Sequence, residues 1–179
     1  WIRGFYYKPR IDKQLLRAHS EGLIASSACI AGEAAQEILS GNMRTAEEAI
    51  LSYKEIFGDD YYLEVQRHET TDPTSDTTVF PMQQRVIAAY RELAAKNNIK
   101  IIASNDVHFI MQDEAEAHDR LICLNTGKDI DDPKRLRYTK QEYLKSGEEM
   151  QAIFADMPEA VSNTLEIAAK VEYYKLNSE

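Results

Sequence analysis

Apolar residues recur along this chain at two spacings, and the alternation between them predicts the fold. Residues 1–7 are aromatic-rich and predict an edge strand that stops near Pro9. Residues 12–19 predict a short helix with Asp12 as N-cap, Leu15 and Leu16 facing inward, and His19 well placed near the helix end. The run GLIAS (22–26) is apolar and bounded by Gly and Ser, as in a buried strand. Residues 31–39 predict a helix stopped by Gly41. Thr45-Ala-Glu-Glu48 has the form of a capping box, and the helix it opens carries Ala46, Ala49, Ile50, Tyr53 and Phe57 on one stripe before Gly58.

The stretch YYLEV (61–65) is aromatic and β-branched and predicts a strand. Residues 70–78 hold no apolar side chain and predict an exposed loop. The longest helix is expected over residues 80–98, with Val86, Ile87, Tyr90, Leu93 and Ala94 inward, and the next strand over 99–103. Strands alternating with helices predict the α/β class: parallel strands joined by crossover helices. Past Ala103 the chain changes character. A helix is expected over 113–124, charged turns over 125–140 with a short strand near 137–139, and a second capping box at Ser146-Gly-Glu-Glu149. A last helix follows with Pro158 at its first position and runs to about Val171.

The bulk numbers narrow the function classes. A chain of 179 residues with 44% apolar content can bury one good core. No apolar run is long enough to span a bilayer, so no membrane partner is expected. Without a leader-like segment, Cys29 and Cys123 are expected as reduced thiols in a cytoplasmic protein. Cys123 shares an apolar helix face with Leu121, Ile122 and Leu124, which predicts a core position. The net charge of −9 opposes a phosphate backbone, so weak or no DNA binding is expected of this piece alone. Two basic clusters, Arg3/Lys8/Arg10 and Lys134/Arg135/Arg137/Lys140, read more simply as solvated patches. The chain opens at Trp1 in sequence that reads as mid-domain, which suggests a piece of something longer.

Candidate chemistry gathers where strands end. In parallel sheets ligands collect at the carboxyl edge. Asp106 and His108 lie just past the strand 99–103, and a D-x-H pair can aim an oxygen and a nitrogen at one metal ion. Alone, such a triplet is common and is more often a solvated loop pair. Cys29 stands just beyond the strand 22–26, so a thiolate, a carboxylate and an imidazole could share that edge. From spacing alone, Cys29 reads more simply as a small buried hydrophobe than as a ligand. Glu64 and His68 are further pocket-lining candidates: Glu64 with a structural role tied to a neighbouring loop, His68 either exposed or in the pocket. His118 sits on a helix, where it more often anchors than ligates. There is no phosphate-binding glycine loop, no CxxC and no nucleophile elbow.

The segments GFYYKPRID (4–12), GLIASSACIAGE (22–33), YYLEVQRH (61–68), ASNDVHF (103–109), AHDRLICLNTGK (117–128) and EYLKSGEEM (142–150) occur in this order. So ordered, they resemble the PHP (polymerase and histidinol phosphatase) region of the alpha subunit of bacterial DNA polymerase III. The resemblance implies a (β/α)7 barrel whose strand ends cradle divalent metals, zinc or manganese. By the same resemblance, Cys29, Asp106 and His108 match ligand positions, while earlier ligands beginning with an H-x-H motif would precede Trp1. Residues 1–125 would then be the second half of the barrel, and 126–179 a helical linker toward the polymerase core.

The resemblance further implies a parent DNA-directed DNA polymerase in replication, with this piece inactive in polymerisation. The PHP site would be a metal-dependent phosphoesterase or proofreading 3'-5' exonuclease, incomplete here. Alternatively, the module is a structural domain that steadies the polymerase and docks a separate exonuclease subunit. A stand-alone histidinol-phosphatase-like enzyme is a third reading, which the helix-capped tail disfavours. Expected partners are the rest of the alpha subunit and other replicase subunits. A half barrel leaves open strand edges, so a covering partner, such as a second copy in a homodimer, is expected.

Overall fold

A computed structural model of the protein describes residues 4–173 and residue 175. Trp1 to Arg3, the start of the expected edge strand, lie outside the described residues. The rest of that segment is a minimal hairpin: β1 (Phe5–Tyr6) runs antiparallel to β2 (Lys8–Pro9), turned by Tyr7 at φ 58°. Helix α1 (Lys13–Ala18) follows, and the Asp12 carboxylate accepts from the Leu15 N–H at 2.8 Å as its N-cap. Its inward face is thinner than expected, because Leu15 is exposed and only Leu16 is half-buried.

The centre is a parallel sheet in the order β3-β4-β5, built from β3 (Ala25–Ser26), β4 (Tyr61–Val65) and β5 (Ile101–Ala103). Between β3 and β4 run α2 (Glu33–Leu39) and α3 (Met43–Phe57); between β4 and β5 runs α4 (Val79–Asn97). The strand expected over 22–26 shrinks to its last two residues. Gly22 sits at φ 73° and Leu23 is exposed, so the chain is still turning there. The register is stepped. Tyr61 and Tyr62 pair with β3, whereas Leu63 to Val65 pair with β5.

Strand alternation decides what each face of β4 meets. Tyr61, Leu63 and Val65 enter the core, where they pack with Ala34, Ala35 and Ile38 of α2, Ala46, Ala49 and Ile50 of α3, and Val86, Ile87, Tyr90 and Leu93 of α4. Tyr62 points the other way, and its hydroxyl donates to Glu166 at 2.9 Å. The stripes read from the sequence for α3 and α4 are thus the buried faces.

The capping box expected at Thr45 does not form. α2 closes on Gly41 at φ 83°, with the Asn42 N–H donating to the Glu37 carbonyl at 2.8 Å, and α3 starts immediately at Met43. Thr45 is therefore already inside the helix, and Glu48 pairs instead with Arg44 at 2.6 Å. A helix C-terminus folded by glycine left no room for a separate start one turn later.

Beyond β5, a 3-10 turn over Gln112–Glu114 leads into α5 (Ala115–Thr126), which ends at Gly127. Cys123 is buried as expected, but Leu121 and Leu124 of the same stretch are exposed, so the apolar face read from the sequence does not enter the core. Helix α6 (Gly147–Ile153) opens with the expected box: Ser146 Oγ accepts from the Glu149 N–H at 3.2 Å, and the Glu149 carboxylate accepts from the Ser146 N–H at 2.7 Å. Helix α7 (Pro158–Lys170) starts on Pro158 and packs on β5, where Asn163 donates to the Ile101 carbonyl at 2.8 Å. Phe154, Met157 and Ala160 join the same core as the sheet. No strand forms over 137–139; instead Phe109 and Tyr143 make an isolated parallel bridge.

Candidate functional site

Three parallel strands present three neighbouring ends at one edge of the sheet, and each end is built differently. The β3 end continues into a tight loop. The Ser27 N–H donates to the Tyr62 carbonyl at 3.0 Å, Ala28 adopts φ 61°, and the Gly32 N–H donates to the Cys29 carbonyl at 2.9 Å. A side chain at Gly32 would place its Cβ 2.2 Å from the Ser27 carbonyl oxygen, so only glycine lets the loop close on itself. Cys29 is thereby held half-buried, as a free thiol, in a cleft shared with Glu64, Gln66 and Gln83.

The β4 end is filled by hydrogen bonds. Glu64 accepts from Ser26 of β3 at 2.5 Å, from Gln66 at 3.0 Å, and from Ser104 beyond β5. Its own N–H donates to Ser27 Oγ at 2.9 Å. One carboxylate therefore ties all three strand ends together. His68 is 3% exposed. The Gln83 side chain settles its tautomer: Gln83 Oε1 accepts from the His68 N–H at 2.8 Å, so the Gln83 amide nitrogen must be the donor to His68 Nδ1, 3.2 Å away. Nε2 then carries the proton and donates to the Asn105 carbonyl at 3.0 Å. Burial pushes the imidazole toward its neutral form against the smaller opposing pull of Glu142. Both ring nitrogens are spent on structure.

The β5 end is open. Asn105 is buried, and its amide donates to the Gln141 carbonyl at 2.9 Å and the Tyr143 carbonyl at 2.7 Å. Asp106 then takes φ 45°, a left-handed turn that Asp tolerates better than most residues. The turn throws Asp106 and His108 outward, with side chains 45% and 31% exposed and His108 Nε2 3.6 Å from Asp106 Oδ1. The His108 ring leans on Tyr138 at 4.7 Å and His118 at 5.5 Å between centroids. His118 in turn meets Phe109 at 5.2 Å, so it props this loop from α5. Burial, and secondarily the neighbouring His108 imidazole, lower the proton affinity of His118. Burial raises that of the Tyr138 hydroxyl, helped by the neighbouring Asp106 and Glu142 carboxylates.

Among the described residues, no three His, Cys, Asp or Glu side chains form a group that could hold a metal ion. The topology supplies the reason for the gap between Cys29 and the D-x-H pair. They follow β3 and β5, which β4 separates. Two strand spacings amount to about 10 Å of sheet between the two strand ends. The donor chemistry of Asp106 and His108 suits a borderline divalent metal, but two donors are half a centre.

Sequence reading missed Glu142, a glutamate that is only 3% exposed. Its Oε1 accepts from the Thr139 N–H at 3.0 Å and the Thr139 hydroxyl at 2.7 Å. Nothing local marks it, because the charged stretch around it reads as solvated. Two residues of the basic cluster beside it are paired: Arg135 with Asp119 at 2.5 Å and Lys140 with Asp72 at 2.7 Å.

Comparison with known proteins identifies similar sequences. Residues 1–68 match the model of the PHP domain family. Nearly the whole chain is similar to part of named DNA polymerase III alpha subunits. It is 42% identical to that of Campylobacter jejuni over 95% of this chain, and 40% identical to that of Borreliella burgdorferi over 98%. The Thermus aquaticus alpha subunit is 36% identical over 94% of the chain. The chain spans only 14% of the length of the Campylobacter relative and 15% of the Borreliella one. The PHP match over its first 68 residues and this identity along nearly its whole length show that the chain corresponds to the PHP region of DNA polymerase III alpha subunits.

Proposed function

We propose that this chain is the later part of a PHP barrel within a replicative DNA-directed DNA polymerase, and that Cys29, Asp106 and His108 contribute to a metal centre completed by donors outside it. The carrying observation is the open β5 end, where Asp106 and His108 stand 3.6 Å apart and exposed beside a saturated neighbour. The stepped register of β4 between β3 and β5 supports the barrel, because closure requires such stagger. Residues 126–179 act as the connection toward the polymerase core while sharing the sheet's hydrophobic core.

In this reading a zinc or manganese centre would lower the pKa of a bound water and polarise a phosphoryl oxygen, chemistry suited to phosphoester hydrolysis. Asp106 and His108 hold their donors forward, Asn105 fixes the loop beneath them, and Glu64 keeps the three strand ends in register. The function is proofreading or a related hydrolysis in the cytoplasm, with the rest of the alpha subunit and other replicase subunits as partners. No helix among the described residues is long and apolar enough to cross a membrane.

The deciding experiment measures bound metal and nuclease activity of the full-length protein with and without Asp106→Asn. Loss of both on substitution is expected. Metal content and activity untouched by the change would remove the catalytic role. The second reading, a structural and docking module, draws on Glu64 and His68, whose polar atoms are engaged in holding the strand ends together. Unaltered polymerase assembly in a protein that never binds metal would favour it.

A further inference from the structure

The loop carrying Asp106 and His108 does not stand alone. The segment Gln141 to Leu144 lies along it like an added strand. The Glu142 carbonyl accepts from the His108 N–H at 2.8 Å and from the Phe109 N–H at 3.4 Å. Phe109 and Tyr143 form a parallel bridge, and the Leu144 N–H donates back to the Phe109 carbonyl at 3.1 Å. The Asn105 amide reaches the same segment at Gln141 and Tyr143.

Glu142 also shapes the segment that holds its carbonyl. Its Oε1 closes a tight turn on Thr139, through both the backbone N–H and the hydroxyl. Lys140 inside that turn sits at φ 65° and is moored to Asp72. The other carboxylate oxygen, Oε2, is buried and has no hydrogen-bond partner among the described residues. A buried acceptor left unpaired is unfavourable, so the turn held by Oε1 has to outweigh that cost.

We propose that Glu142 is the positioning residue of His108. The turn at 139–142 sets the place of the Glu142 carbonyl, that carbonyl sets the backbone of His108 and Phe109, and the Tyr138 and His118 rings fix the imidazole between them. Its link to metal binding rests on the reading of Asp106 and His108 as ligands; its link to the backbone does not. Groups that orient ligands from behind typically change metal affinity ten- to a hundredfold when removed.

The test uses the full-length protein, zinc titration, and hydrogen exchange at the His108 and Phe109 amides. Glu142→Ala should weaken zinc binding at least tenfold and accelerate exchange at those two amides, with exchange in β4 unchanged. Glu142→Gln should restore both, because its amide oxygen still accepts from Thr139. Wild-type affinity and slow amides in Glu142→Ala would overturn the proposal. So would a Glu142→Gln variant as impaired as Glu142→Ala, which would assign the effect to charge. If Glu142→Ala does not fold, Thr139→Val should show the same acceleration to a smaller extent, and unchanged amides there would be equally fatal. If the wild-type protein binds no zinc, or Asp106→Asn leaves binding intact, the ligand reading fails, while the amide exchange still decides the positioning role.

Discussion

The ends of β4 and β5 lie side by side and carry the same residue types, a carboxylate followed within a few residues by an imidazole. Glu64 and His68 on one are spent. Each accepting or donating atom is engaged, by Ser26, Ser104 and Gln66 around the glutamate and by Gln83 and Asn105 around the histidine. Asp106 and His108 on the other are exposed and contact each other only at 3.6 Å. The difference comes from the backbone. β4 is the middle strand, so its end is walled by neighbours on both sides. β5 ends in a left-handed turn at Asp106 that carries the chain out of the sheet. Similar side chains become a clamp in one place and an open pair in the other.

The sharpest way to break this contrast is to remove each histidine or acid in turn. His68→Ala would leave the Asn105 carbonyl and the Gln83 amide unpaired around a void, and should cost about 3 kcal/mol in a urea titration. Asp106→Asn should change stability by no more than about 0.5 kcal/mol. Equal losses at the two sites would erase the distinction.

Acid should act on the clamp next. The folded-state pKa of His68 lies below its unfolded value of 6.5, because burial disfavours the charged ring. The unfolded chain therefore takes up the proton first as pH falls. The His68 contribution is fully present above the unfolded value and is lost progressively as pH falls below it. His118, shifted the same way, adds to the effect. Urea midpoints at pH 7.5 and 5.5 measure the loss, and His68→Gln should flatten it. A midpoint that rises on acidification would mean that His68 is held charged.

The smallest effect concerns the turn itself. Asp106→Gly removes the side chain from a residue at φ 45° and should raise stability by about 0.5 kcal/mol while deleting the carboxylate. A loss of stability would show that the Asp106 side chain supports the fold, and the open-end description would fail.

How much of this could be read in advance depends on range. The stripes of α3 and α4, the β4 strand, the second capping box and Pro158 as a helix start are local patterns, and they were legible because each depends on residues a few positions apart. The D-x-H pair was legible for the same reason. The first capping box misled, because Thr45 and Glu48 satisfy the pattern while Gly41 had already launched the helix. Glu142 was invisible, since its burial depends on loops more than 30 residues away.

The order of apolar and polar residues thus determined the class of fold, the helices, and the placement of Cys29, Asp106 and His108 after strands, because hydrogen bonding within a helix and alternation along a strand are short-range. Only the tertiary structure decided that Glu64 and His68 are consumed, that a whole strand separates Cys29 from the D-x-H pair, and that Glu142 lies beneath His108. Those outcomes rest on strand order and on desolvation, which depend on where distant segments of the chain come to rest.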